Sequence, residues 1–331
     1  MRIRLGGIYR LIIGLAISGL MGWLVVRGFE WSRVGESFSD VSVPLVLLSV
    51  LVFMIAGYLR ALRWRLLFVN DEIPVLRLFI VQNEGLGLNN VLPVRIASEA
   101  VQLAVLTMRD RIRPSTAIAT MGMERVIDVV ASTIILTIAL FLVPQMSNFK
   151  NYVWVAIGLT VLSIAVVRFL AWGSGGLGLF RRVRFLNAFS DSVRELERHK
   201  ARLVASLAIT VGYWLLVGTS AWLIAIAVDL GISPFTATVI IMGTIFFATS
   251  VPAAPGAIGT FEFAMVYVLG FFGVAREDSF GFALLTHAVF FLPPTIIAAI
   301  FLPREGLELM QRLKGRLAFR GAPMGSAPAA D

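Results

Sequence analysis

The sequence predicts an all-α polytopic membrane protein with about six transmembrane helices and two re-entrant helical hairpins. Hydrophobic residues make up 58% of the 331 residues and charged residues 15%. A soluble domain of this length cannot bury so much apolar surface, but a bilayer accepts it. Several segments are apolar over the roughly 20 residues that a helix needs to cross about 30 Å of hydrocarbon. Lys and Arg concentrate on alternate connecting segments, and this positive-inside pattern predicts cytoplasmic N- and C-termini in the plasma (inner) membrane.

The predicted crossings alternate in direction along the chain. They are residues 8–26, 43–59, 116–143, 152–170, 203–228 and 280–302. The first begins like a secretory signal, with basic residues before an apolar stretch. That stretch is too long for a typical signal core and has no A-x-A cleavage site, so we interpret it as a crossing.

The first hairpin is predicted between the second and third crossings. Two short apolar stretches, 75–88 and 96–108, lie between basic clusters at 60–65 and 109–113. Basic flanks put both ends on the cytoplasmic side, so the chain should enter the membrane and turn back. An Asn-Asn-Val-Leu-Pro sequence ending at Pro93 breaks the helix at the tip. Membranes tolerate such irregular backbone only where it is buried in protein or lines a cavity.

The second hairpin is predicted between the fifth and sixth crossings. Its arms, 235–249 and 261–272, flank a Pro- and Gly-rich stretch at 251–259. Because the sixth crossing must end at the basic tail, this hairpin should enter from the outer side. The order crossing, hairpin, crossing therefore occurs twice with opposite orientation, a pattern typical of the inverted repeats of secondary transporters.

This pattern predicts one transmembrane domain followed by a tail. The boundaries are 1–305 for the domain, about 43–143 and 203–302 for its two repeats, 171–202 for a cytoplasmic amphipathic linker, and 306–331 for a partly disordered cytoplasmic tail. In the linker, Phe189, Val193 and Leu196 recur at helical spacing. This spacing predicts a helix whose apolar face lies on the membrane surface.

Charged residues within the predicted membrane segments define the candidate site, because each is costly to insert. The candidate substrate-binding and translocation residues are Asn90, Pro93, Arg95, Glu99, Glu124, Arg125, Asp128, Pro255, Gly256, Gly259 and Glu262. Glu124 and Asp128 are four residues apart and share a helix face, with Arg125 about 100° away. One interpretation is a set of ion pairs that join hairpins to crossings. The other is a polar cavity in which arginines and helix N-termini face an anionic group and the acids position the arginines or take up protons.

Two further residues, Glu84 and His287, are candidates for a proton relay, the alternative being packed polar side chains. No cofactor and no metal site are expected. The chain has no cysteine, which excludes thiolate chemistry, and it lacks the GxxxxGK[ST] fingerprint of ATP binding. The net charge of +9 follows from the positive-inside pattern, so we expect no nucleic-acid partner.

Four motifs in order resemble the transmembrane region of the lysylphosphatidylglycerol synthase family, also described as flippase-like. They are Arg60-x-x-Arg63-Trp64, Asn90-Val91-Leu92-Pro93-x-Arg95-x-x-Ser98-Glu99, Glu124-Arg125-x-x-Asp128 and Pro255-Gly256-x-x-Gly259-x-x-Glu262. The resemblance covers about residues 10–305. One departure is Ser98, where the family commonly has Gly, and it puts the local backbone in question.

The resemblance implies a stand-alone member without the synthase domain, and hence a lipid flippase rather than an enzyme. An anionic or lipid-linked head group would cross through a polar midplane cavity while its chains stay in the bilayer. The alternatives are a secondary transporter of a small soluble solute and a membrane accessory subunit of a lipid- or glycan-modifying enzyme. The partners considered are accordingly a membrane phospholipid or lipid-linked substrate, a second copy of the chain and a separate lipid-modifying enzyme.

Overall fold

The computed structural model describes residues 2–39, 41–91, 95–143, 150–176 and 184–321, and all regular structure within these ranges is helical. The helices are α1 (Arg2–Val26), α2 (Trp31–Ser39), α3 (Val43–Leu67), α4 (Val75–Val91), α5 (Arg95–Ala104), α6 (Pro114–Leu142), α7 (Lys150–Gly176), α8 (Arg184–Arg198), α9 (Lys200–Ala227), α10 (Pro234–Ser250), α11 (Thr260–Gly270) and α12 (Arg276–Gly321). The predicted all-α polytopic fold is confirmed.

Five helices in the described part of the chain are long and apolar enough to cross a membrane. They contain Val43–Leu67, Pro114–Leu142, Val153–Leu170, Lys200–Ala227 and Arg276–Gly306. These correspond to five of the six predicted crossings. The first predicted crossing lies in α1, whose apolar segment Ile12–Val26 is shorter, so its crossing stays a prediction.

The centre of the fold is the contact between α3 and α9, which pack along most of their length. Ser49 Oγ donates to the carbonyl oxygen of Ser220 over 2.8 Å, and Ser220 Oγ donates to that of Ser49 over 2.9 Å. Both serines are fully buried. Small side chains at this position let the two helix backbones approach, and the reciprocal bonds satisfy both hydroxyls away from water.

Hairpin 1 consists of α4, α5 and the π-helical turn Val105–Arg109 that extends α5. Its arms lie against each other, because a Cβ added at Gly85 would fall 1.8 Å from Gln102 Nε2. At the open end, Arg77 Nε donates to Asp110 Oδ1 over 3.0 Å. Gly85 pairs with Gln102 near the predicted break, and Arg77 pairs with Asp110 farther from it, as expected for two antiparallel helices. The small Gly85 lets the two arms pack closely.

Hairpin 2 consists of α10 and α11, with a single 3₁₀ turn, Pro255–Ala257, in the break between them. Thr244 Oγ1 donates to Met265 Sδ over 3.5 Å between the arms. The helix α10 begins with Pro at its first position, and the Ser233 side chain accepts from the Thr236 N–H, an arrangement that favours helix initiation.

The predicted linker helix forms as α8, but its surroundings differ from the prediction. Val193 and Leu196 are each only 3% exposed and belong to a core cluster with Trp64 and Ile127. The apolar face therefore packs on α6 and α7, not on the membrane surface. Amphipathic spacing predicts an apolar face but does not distinguish lipid from another helix as its partner.

The last helix, α12, runs beyond the sixth predicted crossing and includes the first part of the predicted tail, as far as Gly321. It contains Pro293, Pro294 and Pro303. Such residues are tolerated within membrane helices where neighbouring elements satisfy the freed backbone groups. Both hairpins pack on this helix.

Candidate functional site

The end of α4, just before the break of hairpin 1, meets the break of hairpin 2 beside α12. Gly256, in the 3₁₀ turn of hairpin 2, has φ 68°, and a Cβ added there would lie 2.3 Å from the Phe291 ring and 3.3 Å from the Asn90 carbonyl oxygen. Only glycine combines this left-handed backbone with so close an approach. Asn90, near the end of α4, donates through Nδ2 to the Phe291 carbonyl over 3.1 Å and to Thr295 Oγ1 over 2.8 Å. Polar groups of both hairpins therefore converge on one stretch of α12.

His287 on α12 joins this point to the acid of hairpin 2. Its Nε2 lies 2.9 Å from the Gly256 carbonyl oxygen, which only accepts, so Nε2 carries a hydrogen. Its Nδ1 lies 2.5 Å from Glu262 Oε1, and a proton must lie between these two atoms. The Glu262–His287 pair therefore holds one proton more than a neutral imidazole and a carboxylate would. The two side chains are 7% and 13% exposed, so this proton is largely shielded from solvent.

Glu262 also caps α11. Its Oε2 accepts from the Gly259 N–H over 2.6 Å, which is the bond that the acid at the third helical position makes in a capping box. Gly259 has φ 85°, and a Cβ there would meet the Ser18 carbonyl oxygen at 2.4 Å. One of the two sequence interpretations placed a substrate anion at this helix N-terminus. In the structure the Gly259 N–H at this end of the helix binds Glu262.

One face of α1 covers the break of hairpin 2. Ser18 Oγ accepts from the Ala254 N–H over 2.7 Å, and a Cβ at Gly14 would lie 2.6 Å from the Ala253 carbonyl oxygen. Gly14, Ser18 and Gly22 recur every four residues, so they share this face. Sequence reasoning missed the contact, although small residues at this spacing are a known signature of close packing between membrane helices.

The acids of α6 belong to a second, separate charge cluster centred on Arg63, which is 1% exposed. Arg63 Nη1 and Nη2 donate to the two oxygens of Asp128 over 2.6 and 3.0 Å. Nη2 also lies 3.2 Å from Glu124 Oε1, and Nη1 lies 3.0 Å from Thr210 Oγ1. The guanidinium carbon is 5.6 Å from the Tyr213 ring centroid. We call Arg63, Glu124, Asp128 and Thr210 the Arg63 cluster.

This cluster corrects the predicted partnership. The sequence prediction had Glu124 and Asp128 position the membrane arginines, and it assigned Arg63 to a cytoplasmic basic cluster after the second crossing. The helix α3 continues to Leu67, which carries Arg63 inside the fold. Arg125 lies on another face of α6 and binds Glu99, with 3.0 Å between Nη2 and Oε1.

The Glu99–Arg125 pair lies at the protein surface, with side chains 55% and 62% exposed. It joins the second arm of hairpin 1 to α6. Arg95 begins α5, but its side chain, like the whole of Pro93, lies outside the described residues. The described partner of Arg125 is therefore Glu99, four residues after Arg95 on α5.

Glu84 is completely buried within hairpin 1, and its charged neighbours are Glu305, Arg77 and Arg109. Arg77 binds both Asp110 and Glu305, and Arg109 Nη1 lies 2.7 Å from Glu305 Oε1. These residues fasten the open end of hairpin 1 to α12. Glu84 and His287, the two relay candidates, therefore lie in different clusters.

A small crevice with a mainly apolar lining lies beside the Arg63 cluster, between α3, α4 and α9. Its lining includes Arg60, Gln82, Asn83 and Tyr213, and its volume is about 30 Å³. Gln82 Nε2 donates to Glu124 Oε1 over 3.2 Å, which links the crevice to the cluster. This space is sufficient for about one or two water molecules and too small for a lipid head group.

The described residues of the predicted site thus separate into four groups, one of which is Glu84 beside Glu305. Asn90, Pro255, Gly256, Gly259, Glu262 and His287 lie at the meeting point of the hairpins, Glu124 and Asp128 lie in the Arg63 cluster, and Glu99 and Arg125 form the surface pair. No cluster of three or more His, Asp or Glu side chains suited to a metal ion occurs among the described residues.

The fold and the site define a multi-pass α-helical membrane protein built around two hairpins of broken helices. The chain belongs to the family of the lysylphosphatidylglycerol synthase TM region, whose family model matches residues 11–298. The predicted resemblance is therefore confirmed, and membership indicates a function related to membrane lipids. Comparison with curated proteins found no match.

Proposed function

We propose that this protein is a lipid flippase that moves an anionic or lipid-linked head group between the leaflets of the plasma (inner) membrane. The observation that carries the proposal is the meeting of two helix breaks at a polar point inside an apolar helical fold. Breaks of this kind, buried at mid-depth between two halves, are where secondary transporters hold their substrates. Family membership adds the link to lipids.

In this mechanism the two hairpins move away from α12, on which both of them pack in the described conformation. The described conformation is closed along this path, because a Cβ added at Gly256 would lie only 2.3 Å from the Phe291 ring and 3.3 Å from the Asn90 carbonyl oxygen. Opening on one side would break the Asn90 bonds to Phe291 and Thr295. Opening on the other would break the His287 bond to Gly256. A head group would pass between the two breaks while its chains stay in the bilayer, and the two halves would act as inverted repeats.

The exposed Glu99–Arg125 pair is the proposed first contact for a head group that approaches hairpin 1. Both side chains are accessible, and Arg125 offers a planar set of donors that suits phosphate. The buried Arg63 cluster would instead hold α3, α6 and α9 in place during the cycle.

Coupling to a proton gradient follows from the Glu262–His287 pair. Loss of its shared proton would leave a carboxylate oxygen and the Nδ1 lone pair 2.5 Å apart, and two acceptors at that distance repel. The repulsion would release hairpin 2 from α12. Glu84 and its neighbours are the second proposed proton site, because Glu84 lies completely buried beside a second carboxylate.

The test is lipid exchange in liposomes that carry the purified protein and a fluorescent anionic phospholipid. Leaflet exchange is followed by chemical quenching of the outer label, with and without a pH gradient. Glu262→Gln keeps the size and the capping interaction but fixes the charge, and we expect it to lower gradient-driven exchange at least about tenfold. Glu30→Gln is the matched control, since Glu30 forms an exposed pair with Arg33.

Two results would count against the proposal. One is wild-type protein that folds correctly but exchanges no lipid of any head-group class. The other is uptake of a water-soluble solute by the same liposomes without lipid exchange, which would favour the secondary-transporter alternative. Exchange only in the presence of a co-purified enzyme would favour the accessory-subunit alternative.

Whether a second copy of the chain is a partner is tested by measuring the molecular mass of the protein solubilised in detergent.

A further inference from the structure

A groove lies on the outside of hairpin 2, between α1 and α11, away from the polar meeting point. Its volume is about 390 Å³ and it is open to the protein surface. The lining residues are Leu24, Val25, Phe263, Val266, Tyr267, Gly270, Phe271 and Arg276. All but the last are apolar or aromatic, so the groove favours a hydrocarbon chain over water.

The dimensions of the groove match one leaflet. It follows α11 from Phe263, close to the break, to Phe271 at the C-terminal end of the helix. Eight residues of helix rise about 12 Å, which is close to half of a hydrocarbon core of about 30 Å. If the break lies at mid-depth, the other end of the groove reaches the membrane–water interface.

A cation lies at that interfacial end. Arg276 Nη2 donates to the carbonyl oxygens of Leu24 and Val25 over 2.9 and 2.8 Å, and the guanidinium carbon is 5.4 Å from the Phe29 ring centroid. Because both hydrogen bonds come from Nη2, other N–H groups of this exposed side chain can meet a phosphate. The exposed rings of Tyr267 and Trp23 suit the same depth, where aromatic residues are enriched.

We propose that this groove binds one phospholipid, with an acyl chain along α11 and its phosphate at Arg276. An apolar channel about one leaflet deep that ends at a cation complements a phospholipid, whose acyl chain matches the channel and whose phosphate matches Arg276. The role of the site rests on the proposed flippase function. It would hold a lipid on a face of α11 roughly 90° around the helix from Glu262, so that occupancy affects how readily hairpin 2 leaves α12.

Gly270 provides a way to fill the groove without disturbing the fold. A Cβ at this position meets no atom within 4 Å, and the same holds for Gly158 on the exposed face of α7. Gly270→Leu should therefore occupy the groove, while Gly158→Leu adds the same side chain at a site remote from it. Arg276→Gln removes the charge but keeps a donor for the two carbonyls.

The experiment uses the full chain in liposomes with phosphatidylglycerol that carries a photoreactive acyl chain, followed by peptide mass spectrometry. We expect labelling of the peptide that contains Phe263–Phe271, about tenfold less in Gly270→Leu and unchanged in Gly158→Leu. Arg276→Gln should lower labelling by phosphatidylglycerol, again by several fold. Added free phosphate should not compete, because the chain supplies most of the affinity.

Equal labelling in Gly270→Leu and Gly158→Leu would overturn the proposal, since only lipid at the general protein surface would then be detected. Cross-linking of α11 to a second copy of the chain would also overturn it and identify the groove as a protein interface. Labelling does not depend on transport. If the wild-type protein is labelled at this site but exchanges no lipid, the binding site stands and the proposed flippase function is wrong. The Glu262→Gln variant should be labelled as strongly as the wild type.

Discussion

The two buried charge clusters differ in what can change within them. The Arg63 cluster joins α3, α6 and α9 through a guanidinium that stays protonated at any physiological pH. The bidentate contact with Asp128 and the further contact with Glu124 hold its charge in one arrangement. The Glu262–His287 pair joins a helix break to α12 through a single proton that can leave. The permanent charge of Arg63 therefore joins three helices of the core. The Glu262–His287 pair, whose proton can leave, lies where hairpin 2 is proposed to separate from α12.

The largest expected effect comes from breaking the permanent cluster. Arg63→Met would leave Glu124 and Asp128 buried without a cation, and losing one partner of a buried pair costs roughly 3–5 kcal/mol. Thermal unfolding in detergent should detect this loss. Arg33→Met, in an exposed pair with Glu30, is the control and should change stability by about 0–1 kcal/mol.

A compensated variant sharpens this test. In Arg63→Met with Glu124→Gln and Asp128→Asn, no uncompensated charge remains, and we expect most of the stability to return. If lipid exchange also returns, the Arg63 cluster acts only as a frame. Stable protein that exchanges no lipid would instead indicate that the head group contacts these charges.

The next effect is conformational and concerns Gly256→Ala. The added Cβ would lie 2.3 Å from the Phe291 ring, and the backbone has φ 68°, which only glycine adopts without strain. Both effects should push the 3₁₀ turn of hairpin 2 away from α12. A cost of about 1–3 kcal/mol is expected. Gly243→Ala is the control, because a Cβ there meets nothing within 4 Å. A Gly256→Ala variant as stable as this control would contradict the described meeting of the hairpins.

A smaller effect distinguishes the titratable pair by its response to pH. With its proton bound, the Glu262–His287 pair holds hairpin 2, and losing that proton would leave two acceptors 2.5 Å apart, so this contact should weaken as the pH rises. In Glu262→Gln the amide donates to Nδ1 and its oxygen accepts from Gly259, so the contact no longer depends on a proton. Melting temperature measured against pH should therefore fall at high pH more in the wild type than in the variant. Parallel curves would remove the basis for proton coupling here.

The smallest effect on stability is expected at the surface pair. Glu99→Gln should change the free energy of unfolding by about 0–1 kcal/mol, because an exposed pair contributes little. Any loss of lipid exchange in this variant would then reflect contact with the head group rather than folding. Unchanged exchange would remove Glu99 from the proposed path.

The sequence predicted the parts of this fold that local signals determine. Basic flanks around two short apolar stretches indicated hairpin 1, and Pro255 with its neighbouring glycines indicated the break of hairpin 2. Glu124 and Asp128 were correctly placed on one helix face. Their partner was not predictable, because nothing in the residues after the second crossing shows that α3 continues far enough to bury Arg63. The same limit applies to α8, since helical spacing does not name the surface that its apolar face meets.

The contact between α1 and hairpin 2 also bears on how the chain is assembled. Ser18 and Ala254 are 236 residues apart, so α1 is synthesised well before the break that it covers. At about 5–20 residues per second this interval is roughly 10–50 s. During that time Gly14, Ser18 and Gly22 face lipid or a biogenesis factor rather than their final partner. Packing of α1 on this break must therefore follow synthesis of the break, and until it occurs hairpin 2 lacks the helix that covers it.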